Sequence, residues 1–322
     1  MTARLLCLLL GVLLDLLIGD PRTLPHPVRG IGWLIARLES PLRRLFPLTP
    51  AGERWAGRLL VLLVAVLPTA LTAFVLAAIR WACAPLAFAL SVLLTSQCLA
   101  LTSLRQESMK VCAALTAGDL PAARAAVSMI VGRDTDCLDE AGVAKAAVET
   151  VAENFSDGVI APLLFLAVGG PAAGIFYKAV NTMDSMVGYQ TPRYQHFGRC
   201  AARLDDLLNL LPARLSGLLL CLAAPLAGLS GKEALRIFRR DRKNHKSPNS
   251  AHTEAAAAGA LGIQLAGPSR YFGRLVEKPT IGDPTRPVEP EDIRRVNSLV
   301  ARGYAAAVSA VALLTISTAL LR

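Results

Sequence analysis

Charge is scarce in this 322-residue chain: Asp, Glu, Lys and Arg make up 18% of it, against about 25% in an ordinary soluble domain. Aromatic residues are 5%, too few for a surface on which bases stack, so no nucleic-acid partner is expected. The seven cysteines (Cys7, Cys83, Cys98, Cys112, Cys137, Cys200, Cys221) are odd in number and never form a C-x-x-C pair. Neither a disulfide framework nor a thiolate zinc site is indicated. The four histidines (His26, His196, His245, His252) are dispersed, which argues against a histidine metal site. There is no G-x-x-x-x-G-K-[ST], and Gly30-Ile31-Gly32 lacks the third glycine of a dinucleotide fingerprint. G-x-S-x-G and H-E-x-x-H are also missing. A nucleotide, if bound, sits in a site without a standard signature. No repeat with a period of about 20–50 residues is visible, which excludes a solenoid or propeller.

What the chain has is hydrophobicity: 53% of its residues are apolar and the mean hydropathy is +0.46. A spanning helix needs about 20 apolar residues. Leu59 to Ile79, Cys83 to Leu104 and Ala305 to Leu321 supply that, and Leu5 to Ile18 is a shorter, retained helix carrying Asp15. Two further runs are broken: Val159–Tyr177 by Pro162, Gly169, Gly170, Pro171 and Gly174, and Leu207–Leu229 by Pro212, Arg214 and Pro225. Irregular backbone at membrane depth survives where protein or a water-filled cavity satisfies it, so these runs are either kinked helices or the lining of a site. The expected fold is all-α, a polytopic helical membrane protein of about six apolar segments. Residues 1–322 form a single integral membrane domain, with 231–298 a cytoplasmic loop layer within it.

The net charge of +10 fits the positive-inside rule and contact with anionic lipid. Six crossings put 19–58, 105–158 and 231–298 on one face, holding 7, 5 and 13 Lys/Arg, and that face is expected to be cytoplasmic. Residues 178–206 then fall outside unless both broken runs enter the membrane and return.

Polar residues gather in islands beside the spans. The densest runs from Gly132-Arg133-Asp134-Thr135-Asp136 into a helix ending in Glu149, Glu153 and Asn154, with Asp157 following. Glu149 and Glu153, four apart, share a face. Carboxylates at a membrane entrance can hold Mg²⁺, which takes one or two of them plus substrate phosphate; the other account is a solvated helix face with Lys145–Glu149 as an i,i+4 pair. Further islands are Asn181 to Met186 with Asp184, then Tyr189, Arg193, Tyr194 and His196; Arg203, Asp205, Asp206 and Asn209; Asp20-Pro21 with His26-Pro27; and His245, Ser247-Pro248-Asn249-Ser250 and Glu254. Acidic groups at membrane helix ends are functional candidates by default.

Read in order, Gly19-Asp20-Pro21 with His26-Pro27-Val28, GRDT at 132–135, VETVAENFSDGVIAPL at 148–163, NTMDSMVGY at 181–189, RYQHFG at 193–198, ARLDDLLNLLPARL at 202–215 and SPNS at 247–250 resemble the CobD/CbiB family of cobalamin biosynthesis, the membrane-bound adenosylcobinamide-phosphate synthases. The resemblance covers nearly the whole chain; Gln190, where a basic residue is expected, is a minor departure.

The resemblance implies amide-bond formation between a propionate carboxyl of adenosylcobyric acid and the amine of aminopropanol phosphate or free aminopropanol. ATP and Mg²⁺ are implied by the family and the reaction. On this basis Glu153, Asp157, Asp184, Asp205 and Asp206 are the expected catalytic carboxylates, with Asp134, Asp136 and Glu153 as metal ligands. Arg133, Asn154, Lys178, Asn181, Arg193, His196, Arg203, Asn209, His245 and Asn249 are the expected substrate contacts. The expected setting is the cell inner membrane, multi-pass, with the active face cytoplasmic. The implied partners are the corrinoid, the amine and the lipid bilayer, with other corrinoid-pathway enzymes or further copies of the chain as associates. The rival expectation is a corrinoid-handling transporter or binding protein without bond-forming chemistry.

Overall fold

A computed structural model of the chain describes residues 3–21, 23–271 and 273–320. Helices account for almost all regular structure: α1 Ala3–Ile18, α2 Pro27–Leu45, α3 Pro50–Ala82, α4 Ala84–Cys98, α5 Leu101–Thr116, α6 Leu120–Ser128, α7 Glu140–Asn154, α8 Ala161–Val187, α9 Arg199–Leu208, α10 Leu210–Ala223, α11 Gly231–Asp241, α12 Ser250–Leu261 and α13 Glu291–Leu320. Between α12 and α13 two small antiparallel ladders form, β1 (Leu265–Ala266) with β4 (Thr280–Ile281) and β2 (Ser269–Tyr271) with β3 (Arg274–Val276).

Among the described residues, four helical runs are long and apolar enough to cross a membrane: Pro50–Ala82, Ala84–Thr116, Glu140–Val187 and Glu291–Leu320. The pair α9 and α10, broken at Asn209, makes a fifth if counted as one span. The apolar run at Leu5–Ile18 does form a helix, but α1 has 16 residues, short of the ~20 that a bilayer needs. The side chains of α3 show what surrounds it. Leu62, Leu67, Leu71 and Phe74 are all at least half exposed, an apolar face that water would penalise and lipid accepts. The chain thus has the helices of a multi-pass membrane protein.

The first broken run is broken where its sequence says. Gly170, at φ 66° and ψ −159°, interrupts α8 just before Pro171, in a conformation essentially reserved for glycine. The second breaks at Asn209, ahead of Pro212. A proline two residues into α10 has no N–H to give and its ring crowds the carbonyl four residues back, so α9 stops at Leu208 and α10 starts afresh at Leu210. At the end of α7, Phe155–Ile160 makes one π-helical turn that contains Asp157; such turns recur at functional sites.

The chain divides into two compact units. The first comprises residues 1–100, 161–209 and 311–322 and holds α1 to α4, α8 and α9. In it α3 approaches the chain before α9 so closely that a Cβ on Gly57 would lie 1.9 Å from the Phe197 carbonyl oxygen. The second unit comprises 101–160 and 210–310. At its centre is α12, whose residues Ala251 to Leu261 are all buried. A run of alanines with Gly259 keeps α12 thin, so α11 packs close: a Cβ on Gly259 would lie 2.4 Å from the Glu233 carbonyl oxygen. Opposite, Gly217 of α10 leaves room for the Phe238 ring and the His252 carbonyl. A helix buried all round is normally apolar all round, yet α12 carries His252, Thr253 and Glu254.

Candidate functional site

One buried polar assembly belongs to the second unit and is built on α7 and α12. The i,i+4 spacing on α7 does put Glu149 and Glu153 on one face. Glu149 is buried, pairs with Arg133, and accepts the Ala266 backbone N–H at 2.6 Å. Arg133 also reaches Ser269 Oγ at 3.4 Å. Ala266 sits at φ 57°, the one non-glycine with positive φ among the described residues. The strained turn aims its N–H at Glu149; conformations of this kind concentrate at functional sites. Glu153 is half-buried and accepts from Ser250 Oγ at 2.9 Å, which ties α7 to the first turn of α12. One turn on, Glu254 is buried. Burial first, then the nearby charges of Glu153 and Glu149, push its carboxyl well above the usual range, with Lys278 and Arg133 opposing.

His245 stands in the same field. Burial draws its pKa below the ordinary histidine value, against the pull of Glu153 and with the help of Lys278. Its Nδ1 accepts the Ser247 N–H at 3.1 Å, so the neutral ring carries its proton on Nε2 and offers a donor there. Asn249, buried at the start of α12, accepts from Arg214 at 3.4 Å. Lys278 donates to Tyr271 Oη at 2.6 Å. Asn154 turns back onto its own helix, donating to the Thr150 carbonyl at 3.0 Å. Asp157 is half-buried in the π turn.

Asp134 accepts the Gly273 N–H at 2.7 Å and its own N–H donates to the Arg270 carbonyl at 3.0 Å, so it fastens the 132–135 loop to the β2–β3 hairpin. Asp136 is exposed. Among the described residues no three His, Cys, Asp or Glu side chains stand close enough to hold one ion, so Asp134, Asp136 and Glu153 are not gathered into a joint set. The residue that fits Mg²⁺ is the half-buried Glu153, one carboxylate of a site that substrate phosphate would complete.

A second assembly lies in the first unit. Tyr177 Oη donates to Asn209 Oδ1 at 2.8 Å, Asn209 Nδ2 donates to Asp205 at 2.9 Å, and Asn181 Nδ2 donates to the other Asp205 oxygen at 3.3 Å. Tyr177, Asp205 and Asn209 are buried. Lys178, Asp184, His196 and Asp206 are half-buried, and Arg203 is exposed. Arg193 is held by Glu39 at 2.9 Å, and its carbonyl accepts from Arg43 at 2.7 Å. Asp20 meets His26 Nε2 at 3.1 Å, while His26 Nδ1 accepts the Val28 N–H at the start of α2.

The residue types of both assemblies were visible in the sequence, but Lys278, Tyr271 and Ala266 were not singled out. They lie in a Pro- and Gly-rich loop whose only signal is a lysine and a tyrosine among turn residues.

Fold and sites together define an all-α, multi-pass membrane protein whose polar chemistry is collected into buried clusters of carboxylates, amides and cations. The chain belongs to the CobD/CbiB family: the family model described as CobD/Cbib protein matches residues 8–300. It is 59% identical over 284 residues to the cobalamin biosynthesis protein CobD of Geobacter metallireducens, covering 87% of each chain. To the protein of the same name from Pelobacter propionicus it is 50% identical over 98% of this chain and 95% of the relative. The Klebsiella pneumoniae protein of that name is 48% identical over 89% of this chain and 90% of its own. These likenesses assign the chain to cobalamin biosynthesis and favour that role over a corrinoid transporter. No solved structure matches it.

Proposed function

We propose that the chain is an ATP-dependent, amide-forming ligase that joins a propionate carboxyl of adenosylcobyric acid to the amine of aminopropanol phosphate, or of aminopropanol, giving adenosylcobinamide phosphate or adenosylcobinamide. The observation that carries the proposal is the Glu153–Glu254 pair beside Lys278, Arg133 and His245. A carboxylate is a poor electrophile and its activation gathers negative charge on phosphate and acyl oxygens, which cations and oriented donors stabilise. Lys278 and the Nε2–H of His245 are such donors. Arg133, already paired with Glu149, holds the acidic helix face in place and adds positive field.

The amine arrives as an ammonium and must lose a proton before it attacks. A carboxylate in ordinary water is too weak a base for this; Glu254, made more basic by burial and by its acidic neighbours, suits the role. Mg²⁺ held at Glu153 with ATP would supply neutralisation of phosphate charge. The excess of Lys/Arg in 105–158 and 231–298 supports a cytoplasmic active face.

The test is a direct one. Protein purified in detergent is given cobyric acid, aminopropanol phosphate, ATP and Mg²⁺, and the corrinoid is followed by mass spectrometry. Product heavier by the amine less water, formed only with ATP and lost in Glu153→Gln and Glu254→Gln, is the expected result. Corrinoid bound by folded protein but never converted would overturn the ligase assignment.

A further inference from the structure

Away from both assemblies, the first unit contains a cavity of about 430 Å³ lined by Glu39, Ser40, Arg43, Arg44, Phe46, Leu48 and Arg193. Three of its walls are arginines, and one carboxylate faces them. Arg43 is engaged: it binds Glu39 at 3.2 Å and Glu53 at 2.9 Å, and its guanidinium lies 4.1 Å from the Phe197 ring centroid. Arg193 is bound to Glu39 yet remains 68% exposed. Arg44 is exposed, and no carboxylate pairs with it among the described residues. The cavity therefore has one fixed cationic wall, Arg43, and two exposed cations, Arg44 and Arg193, with Ser40 also in its lining.

Its depth follows from the chain. Glu53, which Arg43 grips, is on α3 six residues before Leu59, where that helix turns continuously apolar. At 1.5 Å per residue the cavity stands about 9 Å outside the start of the apolar core, the level of lipid headgroups. The surroundings match. Leu45 and Leu48 are 67% and 88% exposed beside the arginines. Trp33 is exposed with Arg37 over its ring at 5.8 Å, and Trp55 is exposed with Arg58 at 4.5 Å. Exposed Trp with flanking cations marks the membrane interface.

We propose that this cavity binds the phosphate of an anionic phospholipid headgroup, with Arg44, Arg193 and Ser40 on the phosphate. Arg44 makes the discriminating contact because its charge has no internal use. The site uses no residue of the Tyr177–Asn209–Asp205–Asn181 network, although Arg193 is also among the expected substrate contacts.

The experiment uses full-length protein in nanodiscs of mixed phosphatidylglycerol and phosphatidylcholine, released into native mass spectrometry, and reads the ratio of the two lipids bound. Each cation near a membrane surface is worth about fivefold in affinity for anionic lipid. Arg44→Gln should therefore lower the phosphatidylglycerol preference about fivefold, and Arg44→Lys should retain most of it. A ratio unchanged within twofold in Arg44→Gln overturns the proposal, as does a loss equally large in Arg54→Gln, which lies near the cavity but not in it. In a parallel arm, detergent-solubilised protein is titrated with inorganic phosphate. Stabilisation equal to that given by phosphatidylglycerol, and lost in Arg44→Gln, would assign the cavity to free phosphate and overturn the lipid.

Discussion

Arg133→Met tests the physical account of the α7 assembly directly. Arg133 and Glu149 have side chains only 15% and 6% exposed, so removing the guanidinium leaves a buried carboxylate held by the Ala266 N–H. Breaking a buried pair from one side costs about 3–5 kcal/mol, and at roughly 2–4 °C per kcal/mol the melting temperature should fall by about 6–20 °C. The penalty comes from the stranded charge, so removing that charge should give much of it back. Glu149→Gln keeps an oxygen for Ala266 and carries no charge. The double variant Arg133→Met/Glu149→Gln should thus be more stable than Arg133→Met alone by about 1 kcal/mol or more. Far-UV circular dichroism in detergent, or hydrogen exchange over residues 265–281, is the right probe. Tryptophan fluorescence is not, because Trp33, Trp55 and Trp81 all belong to the other unit. A double variant as unstable as the single one, or more so, would refute the reasoning.

Three further outcomes are expected. Because the Glu254 pKa is raised in the folded chain, the folded state holds the proton longer than the unfolded one, and stability falls as pH rises above the ordinary carboxylate range; Glu254→Gln should abolish that slope in melts between pH ~5 and ~8, and a variant with the parent's slope would contradict it. His252, pulled down to about 4 by burial and by Arg214 and Arg242, acts in the opposite sense: the unfolded chain takes up its proton first, so up to about 3 kcal/mol is lost as pH falls from ~6.5 towards 4, and His252→Gln should flatten the acid limb of the same melts, an unchanged limb counting against it. Gly170→Ala meets no atom within 4 Å of the new Cβ, so its cost is backbone strain alone, about 1–3 kcal/mol; a melting temperature equal to the parent's would show that α8 does not need its positive φ.

How far the sequence could be read depended on whether a feature is local. The break at Gly169-Gly170-Pro171 and the shared face of Glu149 and Glu153 follow from conformation and helical period within a few residues, and both are where the residues put them. The break near Pro212 came three residues early, at Asn209, because a proline disturbs the carbonyl four back rather than its own position. Arg193 bonds Glu39 from α2 while most of its side chain stays exposed, a partner no spacing rule could supply. Lys278 was hidden for the same reason. Its neighbours Glu153 and Glu254 come from α7 and α12, and only the folding of the 265–281 loop brings the three together.

The small residues of α12 explain why such a grouping is tolerated. An alanine-rich helix contributes little apolar area of its own, and its stability rests on the close approach of α10 and α11. That close packing excludes water from every face, including the one that bears Glu254, so a single carboxyl there is buried beside Glu149 and Glu153 rather than screened from them. The same sequence feature that makes the helix a thin central post thereby sets the basicity of its glutamate. Replacing Ala255 or Ala258 with leucine would force α12 away from its neighbours, admit water, and lower the Glu254 pKa even though no charged residue had changed. The pH slope assigned to Glu254 should shrink in such a variant. If it persisted at full size, the neighbouring charges rather than burial would be its cause.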